Sequence, residues 1–377
     1  MSFFSRNFFS AKLAFSLLTL AIATGLAMYG YSHSSAQTTP ASSNPTPTPT
    51  PKAAPTLSAT PVIEDDDEPI RVDTELVNLS VRVVDRNNKP VGILSQGDFT
   101  VYEDNVAQPI EFFSKEEVPV NYALVVDNSF SLRTQLEKVI EASKILVNSN
   151  RAGDETCYIR FVNSEKISIE HDFSNDKSSL TEKLDEMYVE GGSTAVRDAV
   201  FLAIEKVDEY EKSKGPNDRK RRAVILVTDG EDRNSFYQES QLFDMLREAD
   251  VQIYTIGFTG ELDKEAGFIR KSPQSKAISL LTRLASETGG KAYFPASVAE
   301  LPQIARDIAG ELRTQYSIGY APTNDRKDGT FRAIRVAIGE GPKKEKRIAL
   351  TRSGRTAALD QKAVPVLQKP TPAPAKP

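Results

Sequence analysis

Hydrophobic positions change their rhythm along this chain, and the changes mark out its elements. Tyr122-Ala-Leu-Val-Val is apolar until it meets Asp127, the pattern of a short strand buried on both faces. Leu136, Val139, Ile140, Ser143, Leu146 and Val147 then recur at helical spacing, so a tight turn bearing Ser129 and Ser131 joins that strand to a helix. The alternation repeats downstream. Residues 157–162 and 166–173 read as strands and 178–187 as a helix. A longer helix over 194–210 puts Val196, Ala199, Val200, Ala203, Ile204 and Val207 on one face, and 223–227 is again continuously apolar. Segments 240–249, 251–258, 277–288, 291–294 and 298–312 carry the pattern on. Repeated strand–helix units predict an α/β fold, a doubly wound and mostly parallel sheet flanked by helices, over 119–313.

The flanks follow other rhythms. Residues 76–83 alternate, 85–90 turn the chain, and 99–102 and 110–113 add short strands around Glu103-Asp104-Asn105, which predicts a small β module over 70–118. After the last helix, 315–320, 331–338 and 347–351 return to strand patterning around a turn at 324–329, a β extension over 314–354. Earlier still, Arg6 and Lys12 precede an apolar run over 13–28 and the small residues Ser34-Ser35-Ala36. That arrangement reads as a signal peptide over 1–36. The run is short for a membrane span, and a signal anchor is the alternative; either implies an exported protein, periplasmic, envelope-bound or secreted. Residues 37–69 form a Pro/Thr-rich linker, with Pro45-Thr-Pro-Thr-Pro-Thr-Pro51 as a semi-rigid stalk. Its acidic end, Glu64-Asp-Asp-Asp-Glu68, lacks the glycine turn of a calcium loop and reads as solvated. Residues 355–377 read as a disordered tail.

Composition narrows the chemistry. The 377 residues are 39% hydrophobic and 26% charged, ordinary for a globular protein, with most of the 22 prolines near the ends. Net charge is −5 at pH 7, so nucleic acid, which needs a basic surface, is not an expected partner. Membrane contact is expected only through an uncleaved N-terminal segment. The one cysteine, Cys157, cannot form an intrachain disulfide and reads as a small core residue. With His33 in the leader and His171 on a strand, a histidine-based hydrolase is hard to assemble.

Three strand ends carry oxygen side chains. Asp127-Asn-Ser129-Phe-Ser131 is the first, Glu190-Gly191-Gly192-Ser193-Thr194 the second and Thr228-Asp229-Gly230 the third. The two glycines before Thr194 would let the backbone approach closely. Either serine alone could be a helix cap. If the strands lie side by side, Asp127, Ser129, Ser131, Thr194 and Asp229 converge where open α/β sheets bind ligands. All five are hard oxygen donors, which suits Mg²⁺ or Mn²⁺ ahead of Ca²⁺ and disfavours zinc or copper. Asp198 reads as a brace for the loop, and Glu231 and Asp232 as a solvated rim. Gly-Gly-Lys291 lacks the spacing and hydroxyl of a phosphate loop.

Asp127-x-Ser129-x-Ser131, Thr194 in Gly-Gly-Ser-Thr-Ala-Val-Arg-Asp-Ala, and Asp229 in Thr-Asp-Gly resemble the metal-ion-dependent adhesion site of von Willebrand factor type A domains. The surrounding order, including Thr288-Gly-Gly-Lys-Ala-Tyr-Phe and Glu311-Leu-Arg-Thr-Gln-Tyr-Ser-Ile-Gly-Tyr320, is similar to exported bacterial proteins of that class. The resemblance runs over roughly 72–351. It implies that Ser129, Ser131 and Thr194 touch the metal while Asp127 and Asp229 hold its waters. Mg²⁺ takes six oxygens at about 2.0–2.1 Å, so one position stays open for a Glu or Asp of a protein partner, with Phe130, Gly192 and Glu231 at the rim. Phe130 is bulkier than the residues usual there, and can form the contact surface or obstruct it. The expectation is a metal-dependent, adhesion-type binding module and not an enzyme. The alternative is a structural envelope scaffold whose metal site only stabilises the fold.

Overall fold

Residues 122–126 are apolar on both alternating faces, so water must be excluded from both sides of the backbone. A computed structural model, describing residues 76–359 except 93, 215–219, 266–270 and 342–344, places this run in the middle of a sheet, within a strand over Val120–Asp127 whose eight residues are all buried. The leader, the linker with its acidic run, and residues 360–377 lie outside the described residues.

In chain order the strands and helices begin with β1 (Val77–Val84), β2 (Phe99–Glu103), β3 (Val106–Gln108), β4 (Ile110–Ser114) and β5 (Val120–Asp127). Then come α1 (Leu136–Asn148), β6 (Glu155–Phe161), β7 (Ile167–Ser174), α2 (Lys177–Asp185), α3 (Val196–Lys212) and β8 (Arg221–Thr228). The α/β part closes with α4 (Glu239–Glu248), β9 (Gln252–Gly257), α5 (Pro273–Glu287), β10 (Ala292–Tyr293) and α6 (Leu301–Arg313). Four strands follow, β11 (Tyr316–Tyr320), β12 (Phe331–Ile338), β13 (Ile348–Leu350) and β14 (Gly354–Thr356).

The central sheet has the order β10-β9-β8-β5-β6-β7. Its pairings are parallel except for the β6–β7 edge. Alternation along β5 divides the core. Tyr122, Leu124 and Val126 pack with Val139 and Leu146 of α1, Leu180 of α2 and Ile304 and Ile308 of α6. Ala123 and Val125 face the other way, onto Val200 and Ile204 of α3, Phe243 of α4 and Leu281 of α5. Each fully buried Leu, Ile or Val side chain is worth roughly 1.5–3 kcal/mol relative to exposure, so two helical layers hold β5 and β8 at the centre. The fold is the doubly wound α/β arrangement expected. Cys157 is buried in this core, and burial pushes its thiol up to about 12, which makes it inert.

The flanking strands interleave. β1 pairs with β11 and β13, and β11 with β4, giving a sheet β13-β1-β11-β4; β12 pairs with β2 and β14, giving β14-β12-β2-β3. Their alternating apolar positions point toward each other. Leu79, Val81 and Ile318 of the first sheet share a core with Phe99, Val101, Ile334 and Val336 of the second. The strands before and after the α/β part thus build one two-sheet structure. β14 includes Arg355 and Thr356, at the start of the segment expected to be a disordered tail. There the Arg355 guanidinium pairs with the buried Glu103 carboxylate at 3.0 Å, and Tyr320 donates its hydroxyl to the same oxygen at 2.6 Å. That paired charge holds residue 355 in the sheet and corrects the expected start of the tail.

The two-sheet structure sits against the amino-terminal ends of the parallel strands. Arg221, which opens β8, donates to the Gln315 carbonyl at 2.6 Å and to Ser80 of β1 at 3.2 Å. Arg82 of β1 pairs with Glu311 of α6 at 2.8 Å, both almost fully buried. The carboxyl-terminal edge of the sheet, where Asp127 and Asp229 lie, is left free of these strands.

Candidate metal centre

β5 ends in Asp127 because Ser129 and Thr228 give its carboxylate somewhere to go. The Ser129 N–H donates to Oδ1 at 2.9 Å, and the Thr228 hydroxyl donates to Oδ2 at 2.6 Å. Both oxygens are thereby oriented, and the carboxylate is fully buried. The Ser129 and Ser131 hydroxyls lie 2.8 Å apart, as the chain enters a 3-10 turn over Phe130–Gln135. Neither serine side chain caps the helix that follows, so the bland role for these hydroxyls is not filled.

Asp229 follows β8, the parallel neighbour of β5. Its Oδ1 accepts the Glu231 N–H at 2.9 Å, while Oδ2 is buried with no hydrogen-bond partner. Burial pushes the Asp127 carboxyl up to about 7, with the nearby Asp229 charge adding to the rise. Burial likewise raises Asp229, opposed by Ser131 and the Glu231 N–H. No ion pair holds either carboxylate among the described residues; the nearby cations Arg197 and Arg233 are taken by Asp232 and Glu231. Two acids are therefore kept close together in low dielectric without a protein cation, a costly arrangement unless protons or a metal compensate.

Thr194 joins the site through its backbone. It is buried, and its carbonyl accepts the N–H groups of Arg233, at 2.8 Å, and Asn234, at 3.2 Å. The loop bearing Asp229 is thus tied to the segment bearing Thr194. Asn128 ties that segment to the first loop: its Nδ2 donates to the Tyr188 carbonyl at 2.8 Å, and its own carbonyl accepts the Glu190 N–H at 2.8 Å.

Other expectations divide. Asp198 braces the loop as anticipated, accepting the N–H groups of Phe236 and Tyr237 at 2.8 and 3.0 Å. Asp232 is not a solvated rim residue: it is paired with Arg197 at 2.7 Å and its side chain is nearly buried. Glu231 is half-buried and paired with Arg233. Of the two glycines before Thr194, Gly192 requires close approach, since a Cβ there would meet Val162 Cγ1 at 2.8 Å, whereas Gly191 faces open space. Phe130 is 54% exposed, with the Arg133 guanidinium over its ring. Sequence reasoning passed over Thr228 and Asn128. The signal was present, a polar residue beside each of the two aspartates, but only the spatial neighbour shows what each one binds.

Residues 121–307 match the model of the von Willebrand factor type A domain. This segment is a type A domain. Over 143 residues the chain is 29% identical to an uncharacterized protein of Synechocystis sp.; the match takes in 37% of this chain and about a third of that relative's length, 32%. Among solved structures, an aerotolerance-related membrane protein from Bacteroides fragilis is 17% identical, covering 51% of this chain and 99% of that one with a TM-score of 0.37. The conserved hypothetical protein BatB from Bacteroides thetaiotaomicron is 19% identical, covering 51% and 98% at 0.38. A von Willebrand factor type A structure from Catenulispora acidiphila is 11% identical, covering 70% and 73% at 0.42.

The donor set of this type A domain fits a hard cation. Among the described residues no group of three or more His, Cys, Asp or Glu is placed to hold a metal, so an ion here would rest on hydroxyls and water as well as on carboxylates. What the domain offers is two buried carboxylates, one with a spare oxygen, beside paired serine hydroxyls. Such a set suits an ion that accepts neutral oxygens and retains water, as Mg²⁺ and Mn²⁺ do.

Proposed function

We propose that the chain is an exported protein-binding module in which Asp127, Ser129, Ser131, Thr194 and Asp229 hold Mg²⁺ or Mn²⁺, and a partner's Glu or Asp completes the ion's shell. The observation that carries this reading is the buried, unpaired Oδ2 of Asp229 beside a second buried carboxylate. A divalent ion would remove both the unmet hydrogen bond and the repulsion between the acids. With neutral hydroxyls as its nearest protein ligands and the carboxylates acting through water, the bound ion would keep enough charge to attract an anionic oxygen. The module's own residues do the rest: Thr228 and the Ser129 N–H fix the direction of Asp127, and Phe130, Gly192 and Glu231 form the rim the partner meets.

Calorimetry of the purified chain with Mg²⁺ and Mn²⁺ tests the first half. Uptake by the wild type and its loss in Asp127→Ala is the expected result; equal uptake by both would remove the basis of the reading. Mg²⁺-dependent binding of N-acetylglutamate amide tests the second half. A metal that raises the melting temperature while no carboxylate ligand binds would favour the scaffold reading instead.

A further inference from the structure

A cleft leads away from the candidate metal centre. Ser131 and Asp229 line a cavity of about 310 Å³ together with Glu261 and Asp263. A second cavity, of about 460 Å³, lies between the start of α4 and the face of α5, lined by Lys271, Lys276, Arg283 and Glu239 among others. Glu231 and Pro273 belong to the walls of both, so the two are adjoining chambers of one cleft.

Charge is distributed unevenly along it. In the farther chamber Arg197 is neutralised by Asp232 and Arg283 by Glu239. Lys271 and Lys276 have no acidic partner among the described residues. In the nearer chamber Glu231 is paired with Arg233. Among the described residues, by contrast, the Glu261 carboxylate accepts only the Thr134 hydroxyl, at 2.7 Å, and that of Asp263 only the Glu265 N–H, at 2.8 Å. Setting the internal pairs aside, among the described residues the cleft offers the metal position and two uncompensated acids at one end and two uncompensated ammonium groups at the other.

We infer that this cleft binds an extended segment of the protein partner carrying two acidic side chains separated by uncharged residues, the first on the metal and the second between Lys271 and Lys276. The inference rests on the metal-dependent reading above and deepens it. The spacing has a physical reason: Glu261 and Asp263 repel a continuous acidic run in the nearer chamber, while the two lysines attract a carboxylate beyond it. Electrostatic complementarity of this kind sets partner choice and association rate more than raw affinity, so it would discriminate among the many proteins that can present one exposed carboxylate.

Synthetic peptides with two glutamates joined by a Gly-Ser spacer of varied length are the probes, with N-acetylglutamate amide as the single-carboxylate reference and full-length protein in excess Mg²⁺. One spacer length is expected to bind about tenfold more tightly than the reference, as one or two added charge pairs allow. That gain should vanish in the Lys271→Glu/Lys276→Glu double variant and weaken steeply with salt. Magnesium uptake measured in parallel shows whether the double variant is folded; Lys271→Gln/Lys276→Gln, a milder change, serves if it is not. A gain that survives loss of both lysines, or peptides that bind no better than the reference, overturns the cleft while leaving the metal reading intact. If neither peptide nor reference binds in a Mg²⁺-dependent way, both fall together.

Discussion

Thr228 donates its hydroxyl to Asp127 across 2.6 Å, from the last residue of β8 to the last residue of β5. Strand pairing puts the two side by side, and the same hydroxyl accepts the Gly230 N–H at 3.0 Å. One small side chain therefore orients one aspartate and shapes the turn that presents the other.

Replacing that hydroxyl by a methyl group should hurt metal binding more than folding. Thr228→Val keeps the shape of a buried β-branched residue but removes a hydrogen bond to a charged group, worth about 1.5–3 kcal/mol. Its loss disfavours the ionised form of Asp127. Calorimetry is expected to show Mg²⁺ affinity about tenfold lower or worse; unchanged affinity would mean that Asp127 needs no orientation.

The raised Asp127 carboxyl makes metal response pH-dependent, with a definite sign. A folded-state value of about 7 against an ordinary 3.8 means that the metal-free protein holds this proton more tightly than the unfolded chain does. Its stabilising effect is full below the ordinary value and disappears as pH rises through about 7. Mg²⁺ requires the carboxylate, so binding should release a proton below neutrality. Thermal melts with and without Mg²⁺ should show a small gain near about pH 5 and a larger one near about pH 8. A gain flat across that range would contradict a protonated, metal-free centre.

At the opposite edge of the sheet, Arg82 and Glu311 join the two-sheet structure to α6 as a buried ion pair. Leaving one charge alone there is costly, so Arg82→Met should destabilise by about 3–5 kcal/mol. Adding Glu311→Leu should recover most of the loss, since an apolar pair of similar volume often serves as well. Urea unfolding of the single and double variants measures both. A single variant within experimental error of wild type would show that the pair does not couple the two parts.

Gly290 offers a test of packing at the same edge. A Cβ there would lie 2.0 Å from the carbonyl oxygen of Ile253 in β9, and backbone inside a sheet cannot give way cheaply. Gly290→Ala is expected to cost at least about 3 kcal/mol. Gly191→Ala, facing open space, should stay within about 0.5 kcal/mol of wild type. The two melting curves, run together, separate a steric requirement from glycine's ordinary flexibility.

By itself the sequence determined the α/β part, because burial writes itself into hydrophobic spacing. Strands covered on both faces are continuously apolar, as in 223–227, and helices covered on one face repeat at helical intervals, as in 196–207. It also brought the oxygen-bearing strand ends forward, since Asp and Ser directly after a buried strand need a reason. Only the tertiary structure decided what depends on which strands are neighbours. Short alternating segments carry no record of their partners, so nothing in 77–84 announces that it lies between 316–320 and 348–350. The same holds for charge. Asp232 reads as solvated until Arg197 is seen beside it, and Thr228 reads as an ordinary strand residue until Asp127 is found within reach of its hydroxyl. Local pattern reports how much of a residue is buried, whereas the sign and strength of its interactions are set by residues far away in the chain.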